Sequence, residues 1–300
     1  MWFKNLKIYR FTQAFSVDTE KLPLMMHAMP FRHCGAQEIS TMGFVSPFSG
    51  KHTKDDLLFH ANNDAIWFTL KREDKILPAS VINNELSEKV ALIEQETGAP
   101  VPKKAQKEFK EEITNQLLPR AFAKQNYING YISLTQQIVV VDASSDASAE
   151  VFLACLRKCL GSLPVVPFAK SQQQETLTNW LLKDAPEGFV LQDEAELKSL
   201  ADDGAMVRCK HQDLDADEVL AHIQAGKWVH KISVEYKERL TCIIAEDLSI
   251  KRLKFTELVT QQNEDIQSDE KEARLDADFI LFTSEIDAFV KDLDSVFTLT

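Results

Sequence analysis

Arg32-His33-Cys34-Gly35 sets an imidazole beside a thiol, the pairing that can generate a nucleophilic thiolate. Neighbouring side chains on an extended chain point to opposite faces, so this spacing favours ordinary packing over catalysis. Cys155 and Cys159 lie four residues apart and would share one face of a helix, offering two thiolates to a metal. No Cys-x-x-Cys or His-Glu-x-x-His pair completes such a site, and the pattern of all five cysteines reads as reduced, buried thiols. Gly50-Lys51 hints at a phosphate loop, but Val45 stands where that motif needs glycine and His52 where it needs a hydroxyl. The carboxylate pairs Asp202-Asp203 and Glu264-Asp265 read as solvated faces. None of these patterns specifies an enzyme, a metal or a cofactor.

The remaining chemistry is cationic. Lys227, Lys231, Lys237, Arg239, Lys251, Arg252 and Lys254 fall on expected strands, with Arg208 and Lys210 upstream. Such residues form either an ordinary solvated sheet face or a surface that tracks phosphates by releasing counterions, without reading sequence. Trp228 and Tyr236 beside them read as core aromatics rather than base-stacking platforms.

The 300 residues carry 34 Lys plus Arg against 46 Asp plus Glu, a net charge of -12, which taken alone argues against nucleic acid as a partner. The distribution changes that reading. Segment 184–218 holds 3 basic and 11 acidic side chains, segment 255–300 holds 3 and 12, whereas 227–254 holds 7 and 4. Charge is therefore segregated along the chain, which permits a basic surface on an acidic protein. A hydrophobic fraction of 44% suffices for a large core, and no apolar run approaches the roughly 18 residues of a membrane span. The first residues lack an apolar export segment, and the expected location is the cytoplasm.

Strand composition over Leu6–Phe11 and Ile66–Leu70 predicts an N-terminal sheet. Between them, Asp18 is expected to open a short helix limited by Pro23. Pro78 and Gly98 bracket one helix and Pro102 opens another through Leu118, a charged helical hairpin at 78–118 with one thin apolar stripe. Ile138–Val141 reads as a buried strand, followed by a helix stopped at Gly161. A boundary near 142–146 divides an N-terminal α+β unit, 1–143, from a C-terminal α+β unit, 144–300. The latter should contain helices near 176–183 and 217–225, the second with an Asp215–Glu218 capping box, a strand near 206–210, a meander over 228–255 and a closing helix over 275–297.

The chain also resembles the RdgC family of bacterial recombination-associated proteins. The likeness rests on Met1-Trp2-Phe3-Lys4-Asn5-Leu6, Gly43-Phe44-Val45-Ser46-Pro47, Lys75-Ile76-Leu77-Pro78-Ala79, Leu117-Leu118-Pro119-Arg120-Ala121-Phe122, Leu160-Gly161-Ser162-Leu163-Pro164-Val165-Val166-Pro167, Arg208-Cys209-Lys210 and Ile250-Lys251-Arg252-Leu253-Lys254-Phe255, spread in order over the whole length. The resemblance implies an α+β subunit, curved, with central antiparallel sheets and a projecting helical tip. Two copies would form a two-fold ring with a basic hole for double-stranded DNA. It implies a homodimeric, nucleoid-associated, non-enzymatic binder that restrains the RecA recombinase, by contact or by competition for DNA.

Candidates for the lining are Lys71, Arg72, Lys75, Arg120, Lys210, Gln212, Lys227, Lys251, Arg252 and Lys254, of which the resemblance implies Arg120, Lys210 and Gln212 near the hole, and it implies Phe122 as a subunit contact. His211, standing where a basic residue would be expected, is left out. Two rivals stand beside this reading. A protein-interaction scaffold would use the acidic stretch Asp213–Glu218 and the acidic C-terminal segment, and a nuclease would need a carboxylate cluster holding Mg²⁺.

Overall fold

The fold is described from a computed structural model, which covers residues 2–49, 57–62, 64–201, 204–263 and 271–299. Gly50-Lys51, His52, Asp202-Asp203 and Glu264-Asp265 lie outside the described residues. In chain order the elements are β1 (Leu6–Phe11), α1 (Leu22–Met26), β2 (Ser40–Val45), β3 (His60–Asn62), β4 (Ala65–Ile76), α2 (Ala79–Thr97), α3 (Lys103–Leu117), β5 (Phe122–Ser133), β6 (Ile138–Asp142) and α4 (Asp146–Leu160). Then follow β7 (Val165–Pro167), α5 (Gln174–Leu182), β8 (Phe189–Ser199), β9 (Met206–Lys210), α6 (Asp217–Gln224), β10 (Lys227–Tyr236), β11 (Leu240–Ala245), β12 (Ile250–Phe255), α7 (Glu257–Thr260) and α8 (Lys271–Phe297). The class is α+β.

Where separate sheets were expected, one twelve-stranded sheet runs β2-β4-β5-β6-β1-β12-β11-β10-β8-β9, with β3 on β4 and β7 on β1. The join is β1, whose Leu6 lies opposite Asp142 of β6 on one side and Ile250 of β12 on the other. Period-two alternation then sorts side chains to two faces. Leu6, Ile8, Trp67, Tyr131 and Val140 turn to one face and join Ile232, Val234, Ile244, Ile250 and the buried stripe Phe279, Phe282, Ile286, Phe289 and Leu293 of α8. Tyr9, Phe11, Phe68, Leu70, Val139 and Val141 turn to the other and meet Phe152 and Leu156 of α4. Ile138–Val141 is apolar at every position because both of its faces are covered.

The polar side of α8 is spent internally. Asp287 accepts from Tyr131 Oη at 3.0 Å and Ser133 Oγ at 2.6 Å, and burial raises its carboxyl. Asp292 accepts from Tyr236 Oη at 2.7 Å and Lys237 Nζ at 2.6 Å, Asp294 meets Arg10, and Glu285 holds Arg239. Much of the acidity expected to face an outside partner thus fastens the helix to the sheet.

A second tie crosses the β1–β12 seam. Lys7 Nζ reaches Asp146 at 2.6 Å and Asp247 at 2.8 Å. Burial pushes the Asp247 carboxyl up, but hydrogen bonds from Lys7 and from Ser249 outweigh it and hold the group at about 2. A depressed carboxyl stabilises the fold fully above its unfolded value near 4, and that contribution is lost as pH falls through about 2. Asp247→Asn should accordingly flatten the acid limb of stability between pH 4 and 2 by about 1 kcal/mol, discounted for solvent screening, as read by thermal melts across that range.

The Asp215–Glu218 capping box does not form. Ala216 is the N-cap of α6 without a side-chain cap, and Glu218 accepts from Gln212 instead. The helices at 79–97 and 103–117 match the expected pair, with Gly98 at φ 66° closing the first by its N–H to Glu94. The first buries no residue and the second buries only Ile113.

Candidate nucleic-acid interface

Helices α5, α6 and α8 contribute to the core on one face of β8–β12. Side chains of the opposite face line a shallow cleft: Arg208 and Lys210 from β9, Lys231 from β10, Lys251 and Arg252 from β12, with Glu194 and Glu196 of β8 between them. None of these belongs to either hydrophobic core.

Strand register builds the cluster. Glu196 lies opposite Arg208 on one side and Lys231 on the other, and Glu194 lies opposite Lys210. On β12, strict alternation would send Lys251 and Arg252 to opposite faces. The pairings Ile243↔Lys251 and Thr241↔Lys254 leave Arg252 and Leu253 facing Cys242 alone, a β-bulge, and Arg252 takes φ 51° there. Ile250 and Leu253 both stay in the core while Lys251 and Arg252 both line the cleft. A non-glycine residue at positive φ is costly, and such strain concentrates where a side chain must be aimed.

The cations are partly matched. Lys231 Nζ and Arg208 Nε, the latter at 3.2 Å, both contact Glu196, and Arg252 Nη1 contacts both oxygens of Glu194 at 3.0 Å. Burial pushes the Glu196 carboxyl up, yet the bond from Lys231 and the charges of Lys231 and Arg208 bring it below its ordinary range. Five cations against two carboxylates leave the cleft positive, with Arg208 and Lys210 well exposed.

Of the sequence candidates, Lys210, Lys251 and Arg252 come together here, and Lys254 lies exposed further along β12. Lys227 opens β10 opposite Ser199, away from the cleft, and Gln212 lines a neighbouring acidic one with Asp193 and Asp213. The N-terminal candidates divide. Lys71 is only 6% exposed, its ammonium 4.5 Å from the Phe31 ring centre and 5.4 Å from that of Tyr127, a placement set by distant aromatics. Lys75 Nζ donates to the carbonyls of Ala36 and Leu118, tying the end of β4 to the turn before β5. Arg72 pairs with Asp74 at 2.7 Å, while Arg120 is exposed. Arg208 and Lys231, noted among the basic strand residues but not among the lining candidates, belong to the cluster. Lys237 and Arg239 are committed to α8.

Phe122 begins β5 opposite Ile76 and is 84% exposed, so it is no core residue. The His33–Cys34 pair is engaged by Glu73. His33 Nδ1 lies 2.8 Å from Glu73, the Cys34 N–H donates to the same carboxylate at 2.9 Å, and burial and that charge push the thiol up. Among the described residues, no three His, Cys, Asp or Glu side chains converge in a way that could hold a metal ion, and no helix is long and apolar enough to cross a membrane.

A family model described as "Putative exonuclease, RdgC" matches residues 1–300. The chain belongs to the RdgC family. It is 50% identical over 300 residues to a protein of Pseudoalteromonas atlantica (strain T6c / ATCC BAA-1087), covering 100% of this chain and 98% of the relative. A protein of Tolumonas auensis (strain DSM 9187 / NBRC 110442 / TA 4) is 45% identical over 295 residues, covering 98% and 97%. One of Shewanella piezotolerans (strain WP3 / JCM 13877) is 46% identical over 292 residues, covering 97% and 95%. All three are named "Recombination-associated protein RdgC". The RdgC family thus carries two descriptions, a nuclease and a recombination-associated protein, and the chemistry of the basic cleft bears on which one suits this chain.

Proposed function

We propose that this chain binds double-stranded DNA with little sequence preference, as a two-fold ring dimer around the duplex, and modulates RecA-dependent recombination without cutting DNA. The observation that carries the reading is the convergence of Arg208, Lys210, Lys231, Lys251 and Arg252 on one face of an otherwise acidic protein. Cations on a sheet face, rather than on a helix sized for a groove, suit phosphate contacts over base readout. Exposed Phe122, at the end of the β4–β5 ribbon from which the α2–α3 helix pair departs, offers an aromatic anchor for a second copy. The names of the relatives, which speak of recombination, agree with a DNA substrate.

The test uses linear and closed-circular duplex of one sequence, loaded at low salt and then challenged with high salt. An enclosing ring stays on the closed circle and leaves once the circle is linearised; equal loss from both forms contradicts enclosure. Phe122→Ala should weaken the dimer about tenfold or more by sedimentation while leaving the circular-dichroism spectrum of the folded subunit unchanged, because the side chain is not part of its own subunit core. Incubation with DNA and Mg²⁺ should leave the DNA intact, and shortened products accumulating with time would favour the nuclease reading.

A further inference from the structure

The two carboxylates inside the basic cleft stand where an incoming anion would bind. Glu196 lies between Arg208 and Lys231 because the register of three neighbouring strands sets one acid between two bases. Glu194 lies opposite Lys210 and draws Arg252 across β11 and β10, its two oxygens sharing one guanidinium nitrogen. Its backbone N–H is itself fixed by Ser233 Oγ at 2.9 Å. Neither acid is loosely placed: each side chain is 22% exposed. A surface selected only for attraction to phosphate would carry neutral acceptors here.

Resting on the proposed DNA reading, we infer that Glu194 and Glu196 are built-in competitors for the DNA phosphates, holding Arg208, Lys231 and Arg252 in place while limiting how tightly the duplex is bound. A carboxylate oxygen accepts the same charge-assisted bonds that a phosphate oxygen would accept. Binding DNA therefore requires the cations to exchange one anion for another, and the carboxylates left behind repel the phosphates that arrive. The consequence is a protein whose contacts with the duplex are many, weak and exchangeable, so that they loosen as salt rises even where a closed ring keeps the protein on the DNA.

The double variant Glu194→Gln/Glu196→Gln keeps the shape and one acceptor at each position and removes only the charge. It should bind duplex about tenfold more tightly at moderate salt, with a salt dependence steeper by about one for each additional phosphate engaged. The control Glu108→Gln/Glu111→Gln makes the same net charge change on α3, away from the cleft, and should leave binding unchanged. Thermal melts of all variants report folding, and the single Glu194→Gln variant, which frees Arg252 alone, carries the test if the double variant is unstable. Wild-type binding with unchanged or weaker binding by the cleft variants, or equal tightening by the control, overturns the inference and leaves the DNA reading standing. Absence of duplex binding by wild type and variants alike at low salt overturns the DNA reading itself.

Discussion

Reversing Lys210 and Lys251 together to glutamate should lower affinity for every duplex sequence alike by about 10- to 100-fold at low salt, and flatten the salt slope by about two. Both residues line the cleft from opposite sides, one on β9 and one on β12, and neither forms an ion pair within it. Their reversal places four carboxylates around the remaining cations, so the cleft changes sign while the hydrophobic core beneath is untouched. Fluorescence anisotropy on two unrelated duplexes checks the result. A shift in preference between the duplexes, rather than a uniform loss, would point to groove contacts.

Phe282→Ala should remove about 3 to 5 kcal/mol of stability, measured by denaturant unfolding, and should loosen both halves of the chain at once. The ring is fully buried and meets Phe3 at 4.6 Å, Phe255 at 5.8 Å, Tyr131 at 6.0 Å and Trp2 at 6.2 Å. Tyr131 belongs to the N-terminal strands and Phe255 to the C-terminal meander, so one side chain of α8 closes the core over both. A single unfolding transition shifted to lower denaturant is expected. Two separated transitions would show that the sheet's two segments fold independently.

Much of this fold could be read from local pattern. The elements β1 and β9 coincide with strands expected from composition alone, β10 to β12 fill the expected meander, and Gly98 and Gly161, both at positive φ, end helices where expected. Strands supported from one side only are harder to see. β8 reads FVLQDEAELKS because alternate positions face water and the cleft, and the near half of β5 is exposed throughout, so neither shows a continuous apolar run. The interface was half legible. Basic residues on β12 stand out by type, and the three-residue step from Ile250 to Leu253, both core residues, departs from alternation as a bulge must. That step is the signal that would have placed Lys251 and Arg252 on one face. Lys231 and Arg208 join the cluster through pairing with β8, a strand the pattern hides. Lys71 shows the reverse: its sequence neighbours suggest an exposed cation, and only Phe31 and Tyr127, remote in sequence, explain its burial. Phe122 stands out through family resemblance alone, since nothing in its spacing separates an exposed anchor from a core phenylalanine.

The basic cleft as a phosphate-binding surface is tested most directly by titrating the wild-type protein against duplex DNA over a range of salt, using two unrelated sequences. The account predicts a slope of log affinity against log salt corresponding to roughly 6 to 10 phosphates, the same for both sequences. A slope near zero, or no binding at low salt, would contradict it and leave Arg208, Lys210, Lys231, Lys251 and Arg252 as an ordinary solvated sheet face.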